Sequence, residues 1–449
     1  MKRIFWNSCL GRAFCSEREV DDLSNAYGIG SSLSRDQLHD IAIQLEDPAQ
    51  WIERRVESLT FLDDGSTRRR LSFDFIMRPE FKSIGFVPLA IFRKENLLNL
   101  DVTAADGQAL SILTSIDAAD LAARILRSGV IGNMTQEIQE LIGEIVSFNT
   151  SATDKDVRAS ERELLAKYVA LTDIEASKAY SVIASVLLRT FILWVKFPEG
   201  TKPYQRVIIK VSYEEASPFR GIFPPLPIRT VVHPNWSSRF HFEVTAPLEL
   251  CIRYLTIGNY VIEDMNATTS PLGGPFTSQG TNPFDIYSEI SDQPVQVAHV
   301  AMDGYKELPP MHAIVQIVPS SGGTTRIASM VTVVTMLVCL IPTVFKLFGS
   351  RLLEAPKDGT AAALLLLGPA LLVAHLAKSP EHPIVAHRLR GARYSLLISG
   401  GLLMIAAGLL GGLPGEGKLR ISWYVLTGLS AFACLVFFIW KSRLKNIFH

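Results

Sequence analysis

Ile327-Ala-Ser-Met-Val-Thr-Val-Val-Thr-Met-Leu-Val-Cys-Leu-Ile-Pro-Thr-Val-Phe345 is a run of nineteen residues without a charged side chain. At about 1.5 Å of rise per residue, a helix of that length just crosses a hydrocarbon core roughly 30 Å thick. The stretch therefore reads as a transmembrane helix, with Pro342 loosening its last turn by removing one backbone donor. Three further stretches towards the C-terminus have the same character: Thr360 to Ala377, Tyr394 to Leu413 and Ile421 to Trp440. The shortest, 360–377, carries Gly368-Pro369 in mid-span, which a bilayer tolerates when neighbouring helices cover the freed carbonyl. Residues 321–449 thus predict a multi-pass bundle of four transmembrane helices.

Trp423 and Tyr424 at one end of the last span and Trp440 at the other form the aromatic belt of a membrane-crossing helix. In the third span Gly401, Gly408 and Gly412 make a stripe of small residues where backbones can touch. The stripe reads first as packing within the four-helix unit, with self-association into a homo-oligomer as the alternative. The centres of all four spans lack ionisable groups, and this argues against coupled transport, which uses such groups at bilayer depth.

With four spans, everything before Ile327, the 378–393 loop and the C-terminal tail share one side. Near the membrane that side carries Arg326, Lys378, Arg388, Arg390, Arg393, Lys441, Arg443 and Lys445; the other carries Lys346, Arg351, Lys357, Lys418 and Arg420. Eight cations against five place the N-terminal domain and both termini in the cytoplasm of a cell-membrane protein. The apolar run after Met1-Lys2-Arg3 is only three residues, too short for a secretory leader, and points the same way.

Before the spans, polarity is mixed. Residues 1–33 lack periodicity and read as a mobile lead-in. Ser34-Arg35-Asp36-Gln37 has capping-box spacing and predicts a helix to Glu46, stopped by Asp47-Pro48. From Val56 the period becomes two. Val56 to Leu62 and Leu71 to Met77 flank Asp63-Asp64-Gly65; Leu98 to Val102 and Leu110 to Ile112 flank Ala105-Asp106-Gly107; each pair predicts a hairpin. Gly85 to Arg93 supplies another strand. Residues 116–188 shift to helical spacing and predict an insertion of about three helices. Ala179 to Val195 is apolar enough to suggest a fifth span, but Arg189 interrupts it, and Thr190 to Phe197 reads as a strand hairpinned through Pro198-Glu199-Gly200 to Val207–Tyr213. After a Pro-rich stretch, strands resume around Phe240 to Val244, Leu250 to Ile257, Val295 to Ala301 and Met311 to Val318, and a Gly-rich link over 320–325 leads to the first span. The fold class is an α+β soluble domain over 34–320, β-sandwich-like with the helical insertion 116–188, joined to the membrane bundle.

Forty-four basic and forty-four acidic residues leave no net charge and no basic stripe, which argues against a nucleic-acid partner. Arg68 to Arg70 reads as a solvated strand end. Five cysteines, two of them in spans, make neither a disulfide framework nor a zinc pair. Gly412 to Lys418 has phosphate-loop spacing, but Leu419 stands where Ser or Thr would hold magnesium and no strand precedes it. His375, His382 and His387 sit at spacings that share no helical face, with Pro383 among them, and read as loop histidines. His241 and Glu243 share one face of a strand and could meet His299 or His312 from neighbouring strands; this is the candidate polar site, set against the plain alternative of solvent-facing strand residues. No G-x-S-x-G or H-E-x-x-H pattern occurs, so no catalytic residue, cofactor or metal is assigned.

The run from Ala363 to His375, then Ser379-Pro-Glu-His-Pro383 and Arg388-Leu-Arg-Gly-Ala-Arg393, with Phe240-His-Phe-Glu-Val-Thr-Ala-Pro247 upstream, resembles actinobacterial membrane proteins of uncharacterised activity. Those proteins carry a β-rich soluble domain ahead of several spans. The resemblance covers most of the chain and implies the same architecture; it implies no activity, cofactor or site. The functional expectation is a bilayer-embedded protein whose cytoplasmic β domain binds a protein partner or ligand. An oligomeric pore or membrane effector gated by that domain, and a membrane-bound hydrolase using His241 and Glu243, are the alternatives.

Overall fold

The structure is a computed structural model describing residues 33–94, 97–130, 133–148, 155–171, 177–215, 228–258, 287–303, 311–320, 322–347, 371, 373, 382–412 and 416–446. Helix α1 (Arg35–Glu46) begins where the sequence signals it. Gln37 N donates to Ser34 Oγ at 3.3 Å and Ser34 N donates back to Gln37 Oε1 at 2.9 Å, so two otherwise orphaned donors are satisfied. Its Leu38, Ile41, Ala42 and Leu45 face the core.

Strands β1 (Ile52–Phe61) and β2 (Thr67–Ile76) form the first hairpin, turned by Gly65 at φ 82°. Helix α2 (Pro79–Ile84) leads to β3 (Phe86–Arg93) and β4 (Leu98–Ala104). Four helices follow: α3 (Ser115–Ser128), α4 (Gln136–Ser147), α5 (Lys155–Val169) and α6 (Ser177–Arg189). The count exceeds the expected three because the buried face of α3 is largely alanine (Ala118, Ala119, Ala122, Ala123), a weak periodic signal. Helix α6 is no membrane span; Tyr180, Ile183, Ala184, Leu187 and Leu188 pack in the core of the β-rich region.

Strands β5 (Thr190–Lys196) and β6 (Arg206–Glu215) exist as read, but not as a hairpin. β5 pairs with β3, whereas β6 lies between β2 and β4. The intervening chain is captured by the end of β2: Tyr204 N donates to Met77 O at 2.7 Å and Met77 N to Gln205 O at 2.9 Å. The second expected hairpin also fails as a ladder. Its turn forms, yet beyond the Thr103–Ala109 bridge Ile112 crosses to Val195. Two strands were missed, β7 (Ile228–Val232) at the end of the Pro-rich stretch and β10 (Tyr287–Val295). The others are β8 (Arg239–Thr245), β9 (Leu250–Gly258), β11 (Val297–Asp303) and β12 (Met311–Pro319).

A six-stranded sheet runs β11-β8-β1-β2-β6-β4, antiparallel except that β8 lies parallel to β1. One face is covered along its whole width. Leu71, Phe73, Phe75, Ile209 and Val211 join a cluster with the helices, β3 and β5, while Leu59, Phe61, Phe240, Phe242 and Val244 join one with the four-stranded sheet β10-β9-β12-β7. The opposite face carries Ser58, Thr60, Arg70, Lys210, Ser212, His241, Glu243 and His299, the alternating half of each strand.

Among the described residues, three helices are long and apolar enough to cross a membrane: α7 (Gly323–Leu347), α9 (Arg390–Gly412) and α10 (Glu416–Asn446). They mark the chain as a membrane protein. Of the expected span 360–377 only the helical Leu371 and Val373 are described, and the lead-in 1–33 lies outside the described residues except Leu33. The Gly-rich link is shorter than expected, since helix begins at Gly323. Helices α7 and α9 run in the same direction: Ala328 packs with Ala392 and Leu396, Thr332 bonds Ser395 at 2.6 Å, and Cys339 packs with Leu402 and Ala406. Helix α10 runs against them, with Lys441 Nζ donating to Ser329 Oγ at 3.0 Å and Thr427 bonding Thr343 at 2.7 Å. Met330, Val334, Ile341, Leu397, Ile405, Phe432 and Val436 point outward, as helices in lipid require. A short helix, α8 (Pro383–Arg388), precedes α9 and inserts Ile384, Val385 and Leu389 into the cluster between the sheets.

Candidate functional site

The candidate polar site lies on the open face of the six-stranded sheet, on β8 and its neighbour β11. Register places His299 opposite Glu243 and His241 opposite Ala301, so the two histidines meet on the diagonal. His241 Nδ1 stands 3.1 Å from His299 Nε2, with ring centroids 5.3 Å apart and planes 29° off parallel. The rings therefore meet edge to edge, one nitrogen donating to the other, an arrangement satisfied when one proton lies between them. Partial burial, then the neighbouring charges of His299, Arg54 and Arg239, hold His241 below its ordinary value. His312 is not part of this group: it sits on β12 in the other sheet, opposite Gly258 and Val231. Among the described residues, no group of three or more His, Cys, Asp or Glu side chains could hold a metal ion. What the arrangement offers is directional hydrogen bonding on a flat, mixed-charge surface.

A second polar constellation escaped the sequence reading. Glu57, 0% exposed, bridges Arg69 (Nη1–Oε1 2.7 Å) and Arg55 (Nη2–Oε2 3.0 Å), and Arg69 Nε reaches Glu215 Oε1 at 3.2 Å. Arg55 lies over the rings of Phe73 and Phe240 and donates to His233 O at 3.3 Å; Arg69 donates to Val231 O at 3.2 Å. The network occupies the covered face, at the seam between the two apolar clusters. Arg69 is thus buried, not part of a solvated strand end, while Arg68 pairs with Glu214 at 2.6 Å and Arg70 is exposed. Strand parity was the available signal: Arg69 shares its face with Leu71, Phe73 and Phe75.

Two of the three glycines in the α9 stripe are not packed against another helix among the described residues, and the surroundings of Gly412 lie outside them. A Cβ at Gly401 or Gly408 would meet nothing within 4 Å, and both positions are exposed. Close approach occurs at Gly391 instead, where a Cβ would stand 2.2 Å from the Trp440 ring. Of the loop histidines, His382 caps α8 by accepting from Ile384 N at 3.2 Å. Burial, the largest effect, outweighs Asp63 and Asp64 of the β1–β2 turn and keeps His382 below its usual value. One described cavity is an open groove of about 430 Å³ between α4 and α5, lined by Glu144, Ser147, Phe148, Ser160, Glu163 and Lys167. Its walls are surface side chains, with Glu163 and Lys167 paired at 2.8 Å, and it lacks the convergent buried polar groups of a small-molecule site. Comparison with family models, curated proteins and solved structures found no significant match to this chain.

Proposed function

We propose that this protein is a membrane-tethered binding module without catalytic activity, whose β domain lies in the cytoplasm and receives a protein partner on the open face of its six-stranded sheet. One observation carries this reading: among the described residues, the sheet is covered on one face only. The other face spans six strands, carries both signs of charge, and includes the His241–His299–Glu243 group. Five interstrand spacings by seven residues make about 24 by 24 Å, some 575 Å², about 70% of the roughly 800 Å² that one partner contributes to a standard interface. A flat face of this kind suits a macromolecule better than a small ligand.

The same proposal includes a sandwich-like pairing of the two sheets and an anchor of four spans. Helices α7 and α9 both start beside the β domain and run away from it, so the chain between them has to return. Crossing lipid demands internally satisfied backbone, hence a helix, and the apolar stretch 360–377 is the segment suited to it. Val373, packed with Ala328, Ala392 and Phe437 at the domain end, supports that return. Sidedness follows from the loop cations, eight against five.

A photo-crosslinking residue at Ser58 or Lys210 of the full chain in cells should trap one defined protein, and the same group at exposed Tyr204 should not. Identical products from all three positions, or none, would remove the proposal. An impermeant thiol reagent should fail to reach Ser58→Cys in intact cells; labelling from outside would reverse the sidedness.

A further inference from the structure

Leu248 is 84% exposed, more than the outward-facing Ile421 (67%) or Phe432 (65%) of the membrane helix α10. A lone exposed leucine calls for no explanation, but this one is presented by a rigid device. It sits in the turn between β8 and β9, where Leu250 N donates to Pro247 O at 3.1 Å and Ala246 N to Gln296 O at 2.9 Å. Gln296 Nε2 donates to Pro247 O at 3.2 Å, tying the turn to the start of β11. Glu249 is held at φ 69°, a left-handed conformation that a non-glycine residue adopts only when its surroundings impose it. Those surroundings are the beginning of the membrane unit. Ser320 N donates to Glu249 O at 2.9 Å, and Thr324 Oγ1 donates to Glu249 Oε2 at 2.7 Å.

Thr324 lies in the first turn of α7, and the uncharged run begins three residues later at Ile327, about 4.5 Å along the helix axis. The turn carrying Leu248 is therefore level with the entry of α7 into lipid. Val297, 46% exposed, stands beside it, opposite Thr245 at the end of β8. The helix ends at this level carry Arg326, Arg390 and Lys441, together with Tyr394, whose hydroxyl accepts from Arg390 Nε at 2.8 Å. Cations and amphipathic aromatics of this kind occupy the headgroup region.

We infer that the β8–β9 turn is an interfacial anchor: Leu248, with Val297 beside it, enters the headgroup–acyl boundary of the leaflet next to the β domain. The partner is the phospholipid surface itself. The inference rests on the membrane assignment of α7, α9 and α10 and is independent of any protein partner. Its consequence is a further attachment of the β domain to the bilayer, beside the covalent one at Gly323 and the α8–α9 segment packed between the sheets, which limits how the domain can swing about the start of α7.

The test uses the full chain with its own cysteines replaced and Leu248→Cys carrying an environment-sensitive nitrobenzoxadiazole label, reconstituted in phosphatidylcholine–phosphatidylglycerol vesicles. A label at Tyr204→Cys serves as the reference: Tyr204 is 69% exposed and lies by Met77, beyond the far end of β2, roughly 33 Å of strand from the β1–β2 turn. The label at 248 should emit to the blue of the one at 204 and lose about half its intensity with lipids spin-labelled near the top of the acyl chain, since interfacial groups reach about 5–10 Å below the headgroups. Emission matching the reference, or a blue shift that lipid quenchers leave unchanged because protein covers the turn, overturns the inference. Flotation with the vesicles reports the membrane assignment separately, so a failure of that assignment is distinguishable from a failure of the anchor.

Discussion

Replacing Glu57 by Gln removes a single charge from the best-buried ionic group in the β domain and leaves its volume nearly unchanged. The carboxylate is fully buried and contacts two guanidinium groups, at 2.7 Å and 3.0 Å. In the variant Arg69 retains Glu215, whose side chain is 41% exposed, and Arg55 retains the His233 carbonyl and its two aromatic faces. At an effective dielectric of about 20, each lost charge pair near 4 Å is worth roughly 4 kcal/mol, and not desolvating the carboxylate returns part of that sum. Removing one partner of a buried ionic group costs about 3–5 kcal/mol in measured cases, and that range is the expected destabilisation here. Urea unfolding of the full chain in mild detergent, followed by the fluorescence of buried Trp51, Trp194 and Trp236, would read it. With a slope of about 3 kcal/mol per molar, the midpoint falls by about 1–1.7 M. Replacing Arg55, Glu57 and Arg69 together by Met, Leu and Met should recover most of the loss, because no uncompensated charge remains. A midpoint shift below about 0.3 M for Glu57→Gln would refute the reasoning, since the network would then have to be solvated rather than sealed at the seam.

Gly391→Ala should lower the thermal stability of the detergent-solubilised protein by about 1–3 kcal/mol as its methyl displaces the Trp440 ring, whereas Gly408→Ala should leave it unchanged; equal effects would contradict the helix packing. Thr332→Val breaks the bond to Ser395 and should cost only about 0.6 kcal/mol, because interhelical hydrogen bonds in membranes are weak on average; a loss of several kcal/mol in the same melts would count against that packing. For His241 the proton resonances of the ring should titrate below 6.5, and His299→Asn should move the midpoint upward by removing a neighbouring positive charge. Because the folded form of His241 resists protonation, the unfolded chain binds more protons below pH 6.5; stability from this group is complete above that pH and declines as pH falls through it. A midpoint at or above 6.5 in the folded protein would remove both statements.

Local chemistry was legible in the amino-acid sequence wherever the answer depends on neighbours along the chain. The Ser34 capping box, the Asp63-Asp64-Gly65 turn and the uncharged runs that became α7, α9 and α10 all belong to this class. Weak local signals were lost. The alanine face of α3 and the short β7 after a Pro-rich stretch have too little side chain, or too few residues, to register as periodic. Half of the candidate site was visible. Parity put His241 and Glu243 on one face, but choosing His299 over His312 required knowing that β11 lies beside β8 and that β12 belongs to the other sheet.

Chain composition and periodicity by themselves therefore determined that this is a membrane protein with a β-rich region ahead of its apolar helices, because the cost of placing charge in lipid and the two-residue repeat of a strand act residue by residue. Only the tertiary structure decided which strands pair. β5 joins β3 instead of the adjacent β6, β8 lies parallel to β1 across a connection of well over a hundred residues, and Arg69 turns inward to Glu57. Such choices depend on hydrogen-bond ladders and ion pairs between residues distant in the chain, and no local pattern encodes which distant partner will be met.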